Sequence, residues 1–272
     1  MTSTALQSRP ARTSAALTAL VVASAVAFVA APATLAGGDH AGEGALRSAA
    51  RGAFVGYWRA GDADLTPAMQ RVADYWLRYH VAKAVIAALL LTALTALGLR
   101  IWRRYVEADR HRIALAAGGA LATAFALGTL AALMANLQGA AAPFASLMPM
   151  LVDSPPDAQL AGPLDEVRQQ LSGVVHEHRA ASPVLQRMID DYALYHWVIA
   201  VIATVVVAVL VAAGVLLWRR RTSATGPARR VLASYGVLSA LVALALAVVV
   251  VANVGTAAAP GPGFLGFFEG GW

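Results

Sequence analysis

Two histidines in matching sequence contexts have side chains that could hold a metal ion or a haem. His80 ends the stretch PAMQRVADYWLRYH, and His196 ends the stretch PVLQRMIDDYALYH, 116 positions later. Imidazole is the commonest metal ligand in proteins and a frequent axial ligand of haem iron. If both side chains face one site, the sequence predicts binding of haem or a transition metal there. No cofactor is predicted otherwise.

The residues around the two histidines also match, and they define a possible site lining. Helical spacing places an aromatic residue one turn before each histidine and a tyrosine beside it, and an asparagine ends each later apolar run: Trp76, Tyr79, Tyr192, Tyr195, Asn136 and Asn253. A structural interpretation stays open, because tyrosine is common at membrane interfaces and asparagine can end a helix. Spacing also predicts that Asp74 pairs with Arg71 and Asp190 with Arg187.

A second candidate metal site is the tripeptide His176-Glu177-His178. On an extended strand both rings would lie on one side, but on a helix they lie roughly 200° apart. The run DEVRQQLSGVVHEH has apolar residues at helical spacing, which favours an exposed helix end over a metal site. The sequence contains no G-x-S-x-G, phosphate-binding glycine loop, H-E-x-x-H or paired-carboxylate motif, so nothing in it predicts an enzyme.

The composition of the chain is that of an integral membrane protein, so membrane helices must position these residues. Hydrophobic residues make up 59% of the chain and charged residues only 13%, with a mean hydropathy of +0.63. Apolar runs of roughly 18 or more residues predict membrane helices. Five such runs occur, at 15–36, 81–101, 113–137, 197–217 and 231–254. Cysteine is absent, which excludes disulfides and thiolate chemistry.

The arginines predict the orientation of the chain in the membrane. They cluster in the short loops 102–112 and 218–230, and such loops stay cytoplasmic. Segments 38–79 and 138–195 and the C-terminus are then outside. Because the basic residues form no groove-sized surface, no nucleic-acid partner is predicted. Abundant alanine, with arginine far in excess of lysine, is typical of a high-GC bacterial genome, so we expect a bacterial plasma membrane.

The first apolar run has two interpretations. Arg9 and Arg12 precede an apolar stretch that ends in the small residues APATLAGG, which is typical of a signal peptide cleaved near Ala33. The run is also long enough for an uncleaved anchor. In both cases residue 38 begins outside the membrane.

An internal repeat predicts the architecture. Residues 67–87 and 183–203 share ten identities in 21 positions. These two segments are 116 positions apart, and so are Trp102 and Trp218. We therefore predict an all-α membrane protein made of tandem-duplicated helical hairpins under a small helical outer cap. The predicted segments are a leader or anchor at 1–37, repeat units at 38–143 and 144–260, and an aromatic, glycine-rich tail at 261–272 on the outer interface.

Small residues are expected to bring the helices of this core together. Such residues allow helix backbones to approach closely in lipid, and they recur at helical spacing in both returning runs: Gly118, Ala122 and Ala126, and Ala233, Gly236 and Ala240.

Three functions remain possible on these grounds. The favoured one is a non-enzymatic, multi-pass protein of the cell envelope. It would act as an accessory or scaffold subunit, or bind a membrane or envelope protein through its cap, residues 38–79 and 144–195. The second is a ligand, haem or metal site around His80 and His196. The third is a membrane-embedded enzyme or a permeation path for an apolar molecule, which no residue supports.

Overall fold

The computed structural model describes residues 3–38, 40 and 42–271, with side chains from Thr13 onward. These residues form helices and, among themselves, no strand, which confirms the all-α prediction. The helices are α1 (Ser3–Ala30), α2 (Pro32–Leu35), α3 (Glu43–Ala60), α4 (Pro67–Glu107), α5 (Arg112–Ala141), α6 (Pro143–Leu147), α7 (Pro149–Val152), α8 (Ala158–Glu177), α9 (Pro183–Arg221), α10 (Gly226–Ala258) and α11 (Pro260–Phe268).

Five helices of the described chain are long and apolar enough to cross a membrane: α1, α4, α5, α9 and α10. Their apolar side chains point outward to an extent that water would not favour. On α9, for example, Val201, Val205 and Val209 are 59–61% exposed. Lipid removes the cost of exposing such a face. The apolar helices therefore indicate a lipid bilayer as the environment of the protein.

The two helices that carry the histidines start where the sequence predicts. Proline is favoured at the first helical position because the helix needs no amide hydrogen there. Accordingly, α4 begins at Pro67 and α9 begins at Pro183. At 1.5 Å per residue the 41 residues of α4 extend about 60 Å, roughly twice the hydrocarbon thickness of a bilayer. Each helix therefore has a long polar first part in addition to its apolar part.

The described chain contains two compact units, each assembled from separate segments. Unit 1 comprises Met1–Pro32, Lys83–Ala135 and Thr204–Ala247, and so holds most of the apolar helices. Small residues bring its helices close together. A Cβ built on Gly98 of α4 would lie 3.7 Å from the Cβ of Ala122 on α5, and one built on Gly214 of α9 would lie 3.5 Å from the Cβ of Ser239 on α10.

Unit 2 comprises Ala33–Ala82, Asn136–Ala203 and Val248–Trp272. In it α3 packs against α7 and α8, and α11 packs against α8. Its core contains large side chains with less than 2% exposure, namely Tyr57, Phe54, Phe264, Met69, Leu147, Met148, Leu160, Leu164, Leu171, Leu185, Met188 and Val167. Burial raises the pKa of Tyr57 to about 12 despite the opposing Arg187 guanidinium, so the phenol stays protonated at neutral pH.

Hydrogen bonds between distant segments fix the geometry of unit 2. Arg51 on α3 donates to the carbonyl oxygen of Met150 at 3.0 Å and to that of Ser154 at 2.8 Å, which satisfies the end of α7. The indole of Trp58 donates to the Glu166 carboxylate on α8 at 2.6 Å. Side-chain bonds of this kind hold α3 in one register against α7 and α8.

The C-terminal tail forms a helix of unit 2, and its place at the outer membrane interface stays a prediction. Residues 260–268 form α11, and Phe264 and Phe268 are buried in the core of unit 2. Their i, i+4 spacing places both rings on one helix face, which packs on α8. The guanidinium of Arg168 on α8 donates to the Phe268 carbonyl at 2.8 Å, so the helix end is also fixed.

Candidate functional site

His80 is hydrogen-bonded to the returning helix of its own hairpin. Its Nδ1 lies 2.9 Å from Oδ1 of Asn136 on α5, and the asparagine is buried. Because an amide oxygen can only accept, Nδ1 carries the proton and donates. The bond therefore joins α4 to α5 and fixes the tautomer of the imidazole.

The His80 ring is enclosed by aromatic side chains and by backbone. Trp76, one turn earlier, meets it edge-on with ring centroids 4.6 Å apart, and Tyr79 lies at 5.9 Å. On the α5 side the ring lies against Gly139. A Cβ built there would be only 2.6 Å from Nε2. Glycine is therefore required at position 139 for the imidazole to occupy this place.

His196 makes the same bond in the second hairpin. Its Nδ1 lies 2.6 Å from Oδ1 of Asn253 on α10. The amide nitrogen of Asn253 donates to the Val249 carbonyl at 2.8 Å, which orients the amide so that its oxygen faces the imidazole. Tyr192 meets the ring edge-on at 4.5 Å, and Tyr195 lies at 5.8 Å.

Two residues next to these clusters had not been singled out from the sequence. Gln138 is buried and donates from Nε2 to the Tyr195 carbonyl at 3.1 Å, so it joins α5 to α9. Gly139 supplies the space for His80. Gly139 does not stand out in a chain rich in small residues. Gln138 is a polar residue at the end of an apolar run, and this polarity is the sequence signal that could have identified it.

The geometry bears on whether the histidines hold a metal or a haem. A proton on Nδ1 leaves the Nε2 lone pair for a ligand, as in many metal sites. At His80 a Cβ built on Gly139 would lie 2.6 Å from Nε2, 2.7 Å from Cε1 and 2.8 Å from Cδ2, so Gly139 packs on the face of the ring and not along the Nε2 lone pair. The described residues contain no group of three or more histidine, cysteine or acidic side chains suited to a metal. The shared metal or haem site at His80 and His196 therefore stays a prediction.

The acidic residues before each histidine have partners other than those expected. Asp74 accepts from Gln70 at 2.7 Å, and Asp190 accepts from Gln186 at 2.8 Å. The expected pairs with Arg71 and Arg187 are therefore wrong. A glutamine four residues earlier projects onto the same helix face as the aspartate. Arg187 instead bonds Asp191 at 2.8 Å, also four residues away.

His176 and His178 lie at the exposed end of α8, whose last residue is Glu177. His178 has a φ of 54°, the left-handed conformation that ends many helices. The intervening Glu177 pairs with Arg179 at 2.5 Å. Nothing in this arrangement supports a metal site, which remains a prediction.

The chain matches no protein family, and no curated protein or solved structure is significantly similar to it. Its function must therefore be argued from its own residues.

Proposed function

We propose that the protein is a non-enzymatic, multi-pass protein of the bacterial cell envelope that binds a partner protein through a helical outer cap. The cap consists of residues 38–79 and 144–195, and the helices below it arose by tandem duplication of a hairpin. The exposed face of α3 supports the proposal that the cap binds a partner. Matched contacts in the two hairpins support the duplication.

Three contacts between an entering and a returning helix occur in both hairpins. The entering residues are 116 positions apart and the returning residues 117 apart, so one register relates all of them. The pairs are His80–Asn136 with His196–Asn253, Gly98–Ala122 with Gly214–Ser239, and Gly119–Trp102 with Gly236–Trp218. Unrelated hairpins would have no reason to share these contacts in a constant register.

The proposed orientation places the arginine-rich loops 102–112 and 218–230 in the cytoplasm and the histidine clusters on the outer side. Single cysteines are clean probes because the chain has none. An impermeant thiol reagent applied to intact cells should label Ser48→Cys on α3 and leave Ser223→Cys unlabelled; both serines are exposed. Labelling of Ser223→Cys would contradict the proposed cytoplasmic location of loop 218–230.

The fate of residues 1–33 is a separate question with a simple test. Lys83 lies 4.6 Å from the Phe28 ring within unit 1, a contact that only an uncleaved chain can make. N-terminal sequencing of the purified protein should give Met1 or Thr2 if α1 is an anchor. A start near Thr34 would establish cleavage and leave four spanning helices.

Helix α3 presents an exposed row of small residues. Gly44, Ser48, Gly52 and Gly56 follow each other at four-residue spacing, and all four are exposed. A Cβ built on any of the three glycines would meet no described atom within 4 Å. The row is therefore a smooth strip over which another helix could approach closely.

The glycines of α3 are costly for the chain by itself. Glycine in a helix interior is less favourable than alanine by about 0.8–1.0 kcal/mol. Packing within the described chain does not explain the absence of side chains at these positions, since the space above them is open. A partner that packs on this strip would use that space, and this is the observation on which the proposal rests.

The binding face can be tested by filling it. Gly52→Leu should abolish recovery of the partner that co-purifies with the wild-type protein from native membranes in mild detergent. Gln169→Leu is a matched control, because Gln169 is an exposed position of unit 2 that belongs to α8 and not to the α3 strip. An identical partner set for wild type and Gly52→Leu would contradict the proposal.

A further inference from the structure

Unit 1 contains a cavity of about 580 Å³ between its helices. Residues of α4, α5, α9 and α10 line it, near the helix ends that border the two arginine-rich loops. Cavities that bind small molecules usually measure about 300–1,000 Å³, so this one has ample room for a ligand. It is remote in sequence from the histidine clusters and plays no part in the contacts described for unit 2.

The walls of the cavity are largely apolar. Apolar side chains from two helices contribute to the lining: Leu94, Leu99 and Val106 of α4, and Val231 and Leu232 of α10. The hydroxyl groups of Thr123 and Tyr235, which also line the cavity, are hydrogen-bonded to each other. The Thr123 hydroxyl donates to the Gly119 carbonyl, so the Tyr235 hydroxyl donates to Thr123. Because both donors are paired, the interior offers a hydrocarbon chain a surface like that of a lipid.

The lining at the loop end of the cavity is charged. Arg103 of α4 and Arg220 of α9 both contribute to it, together with one acid, Glu107. Both guanidinium groups are exposed, and neither forms an ion pair with any side chain in the described part of the molecule. The two arginines thus leave a net positive charge beside an apolar space. That combination is complementary to a ligand with a hydrocarbon chain and an anionic head.

We infer that this cavity binds an anionic phospholipid of the surrounding bilayer, with one acyl chain between α4 and α10 and the phosphate at Arg103 and Arg220. Basic pockets between membrane helices are suited to anionic lipid head groups. Guanidinium groups can also bind phosphate through paired hydrogen bonds. The helices that form the cavity are those whose exposed faces require lipid, so the ligand is present at high local concentration. This inference is independent of the partner proposed for the cap.

The full-length protein in a non-ionic detergent provides the test. Binding of palmitoyl-oleoyl phosphatidylglycerol and of the matching phosphatidylcholine would be compared by native mass spectrometry. We expect the phosphatidylglycerol to bind about tenfold more tightly, because each basic residue near an anionic lipid contributes to affinity. The double variant Arg103→Gln, Arg220→Gln should remove that preference. Equal binding of the two lipids by the wild type would overturn the inference.

A charge-matched control separates the cavity from general surface charge. Arg104 and Arg219 are exposed neighbours of the two lining arginines and do not line the cavity. The double variant Arg104→Gln, Arg219→Gln should keep the preference for phosphatidylglycerol. If it loses the preference to the same extent as the Arg103, Arg220 variant, the lipid binds the loops in general and the site is wrong.

Occupation of the cavity by an acyl chain needs a separate test. The same test also checks the lipid site if the arginine variants fail to fold. Ala126→Leu places a larger side chain into the apolar part of the lining. It should weaken phosphatidylglycerol binding, while soluble glycerol phosphate at millimolar concentration should not displace the lipid from the wild type. Unchanged binding by Ala126→Leu, or displacement by glycerol phosphate, would show that no acyl chain occupies the cavity.

Discussion

The two histidine–asparagine pairs share one hydrogen bond but differ in what surrounds the imidazole. Asn136 is buried and the His80 ring lies against Gly139, whereas Asn253 is only half-buried. At the position equivalent to Gly139, offset by 117, the second hairpin has Thr256. The bond that joins the entering and returning helices is thus the common element. The histidines are best understood as structural links within each hairpin, and only the first is tightly enclosed.

The same asymmetry occurs in unit 1, at the tryptophans. A Cβ on Gly119 would lie 2.5 Å from the Trp102 indole, whereas one on Gly236 would lie 3.4 Å from the Trp218 indole. Trp218 is 47% exposed and stacks with Arg221, whose guanidinium lies 3.7 Å from its ring. The first hairpin is therefore packed more tightly than the second at both the tryptophan and the histidine.

The largest effect is expected from Gly139→Ala. The added methyl group would overlap the His80 imidazole, which is also held by its contact with Trp76 and its hydrogen bond to Asn136. Overpacking of this kind costs about 1–3 kcal/mol, and loss of the hydrogen bond would place the result near the upper end. Thermal unfolding in detergent measures the change.

Gly128→Ala on the same helix is the control for that variant. A Cβ at Gly128 meets nothing within 4 Å, so alanine should be neutral or stabilising by up to about 1 kcal/mol. Equal stability of the two variants would mean that His80 does not occupy the place described.

The next effect compares the tryptophans directly. Gly119→Ala should lower the free energy of unfolding by about 1–2 kcal/mol, because the Trp102 ring must move to admit the methyl group. Gly236→Ala should be neutral or stabilising by up to about 1 kcal/mol, since a Cβ there makes an ordinary contact with the Trp218 indole. A larger loss at Gly236 would invert the comparison between the hairpins. Denaturation of both variants in one detergent provides the measurement.

The smallest difference is expected at the asparagines. Asn136→Ala leaves the His80 donor without its acceptor in a buried place, at a cost of about 1–3 kcal/mol. Asn253→Ala should cost about 0.5–1.5 kcal/mol, because the half-buried site admits a replacement partner. Equal losses would show that burial does not distinguish the two pairs.

Much of the fold followed from the sequence because its signals are local. Apolar length identified the five long helices, and Pro67 and Pro183 marked the starts of α4 and α9. The contacts of Trp76 and Tyr192 with the two imidazoles also follow from helical spacing, which puts each ring one turn before its histidine.

The parts that could not be predicted depend on distant segments. Nothing local tells Gly139 from the other small residues of α5, because its role depends on the position of His80 on α4. The packing of the tail depends in the same way on a distant segment, because α11 packs on α8 and buries Phe264 and Phe268. Asp74 and Asp190 accept from glutamines and not from the predicted arginines, because residues three and four positions earlier share their helix face and spacing does not choose between them.

The central claim is that His80 and His196 act separately, each as a link within its own hairpin. A double-mutant cycle of His80→Ala and His196→Ala tests it by thermal stability in detergent, together with metal content and the visible absorption spectrum. Separate links predict additivity within about 0.3–0.5 kcal/mol, no haem band and no bound metal. Loss of either histidine costing nearly as much as loss of both, with a metal or haem released, would contradict the claim and establish a shared site.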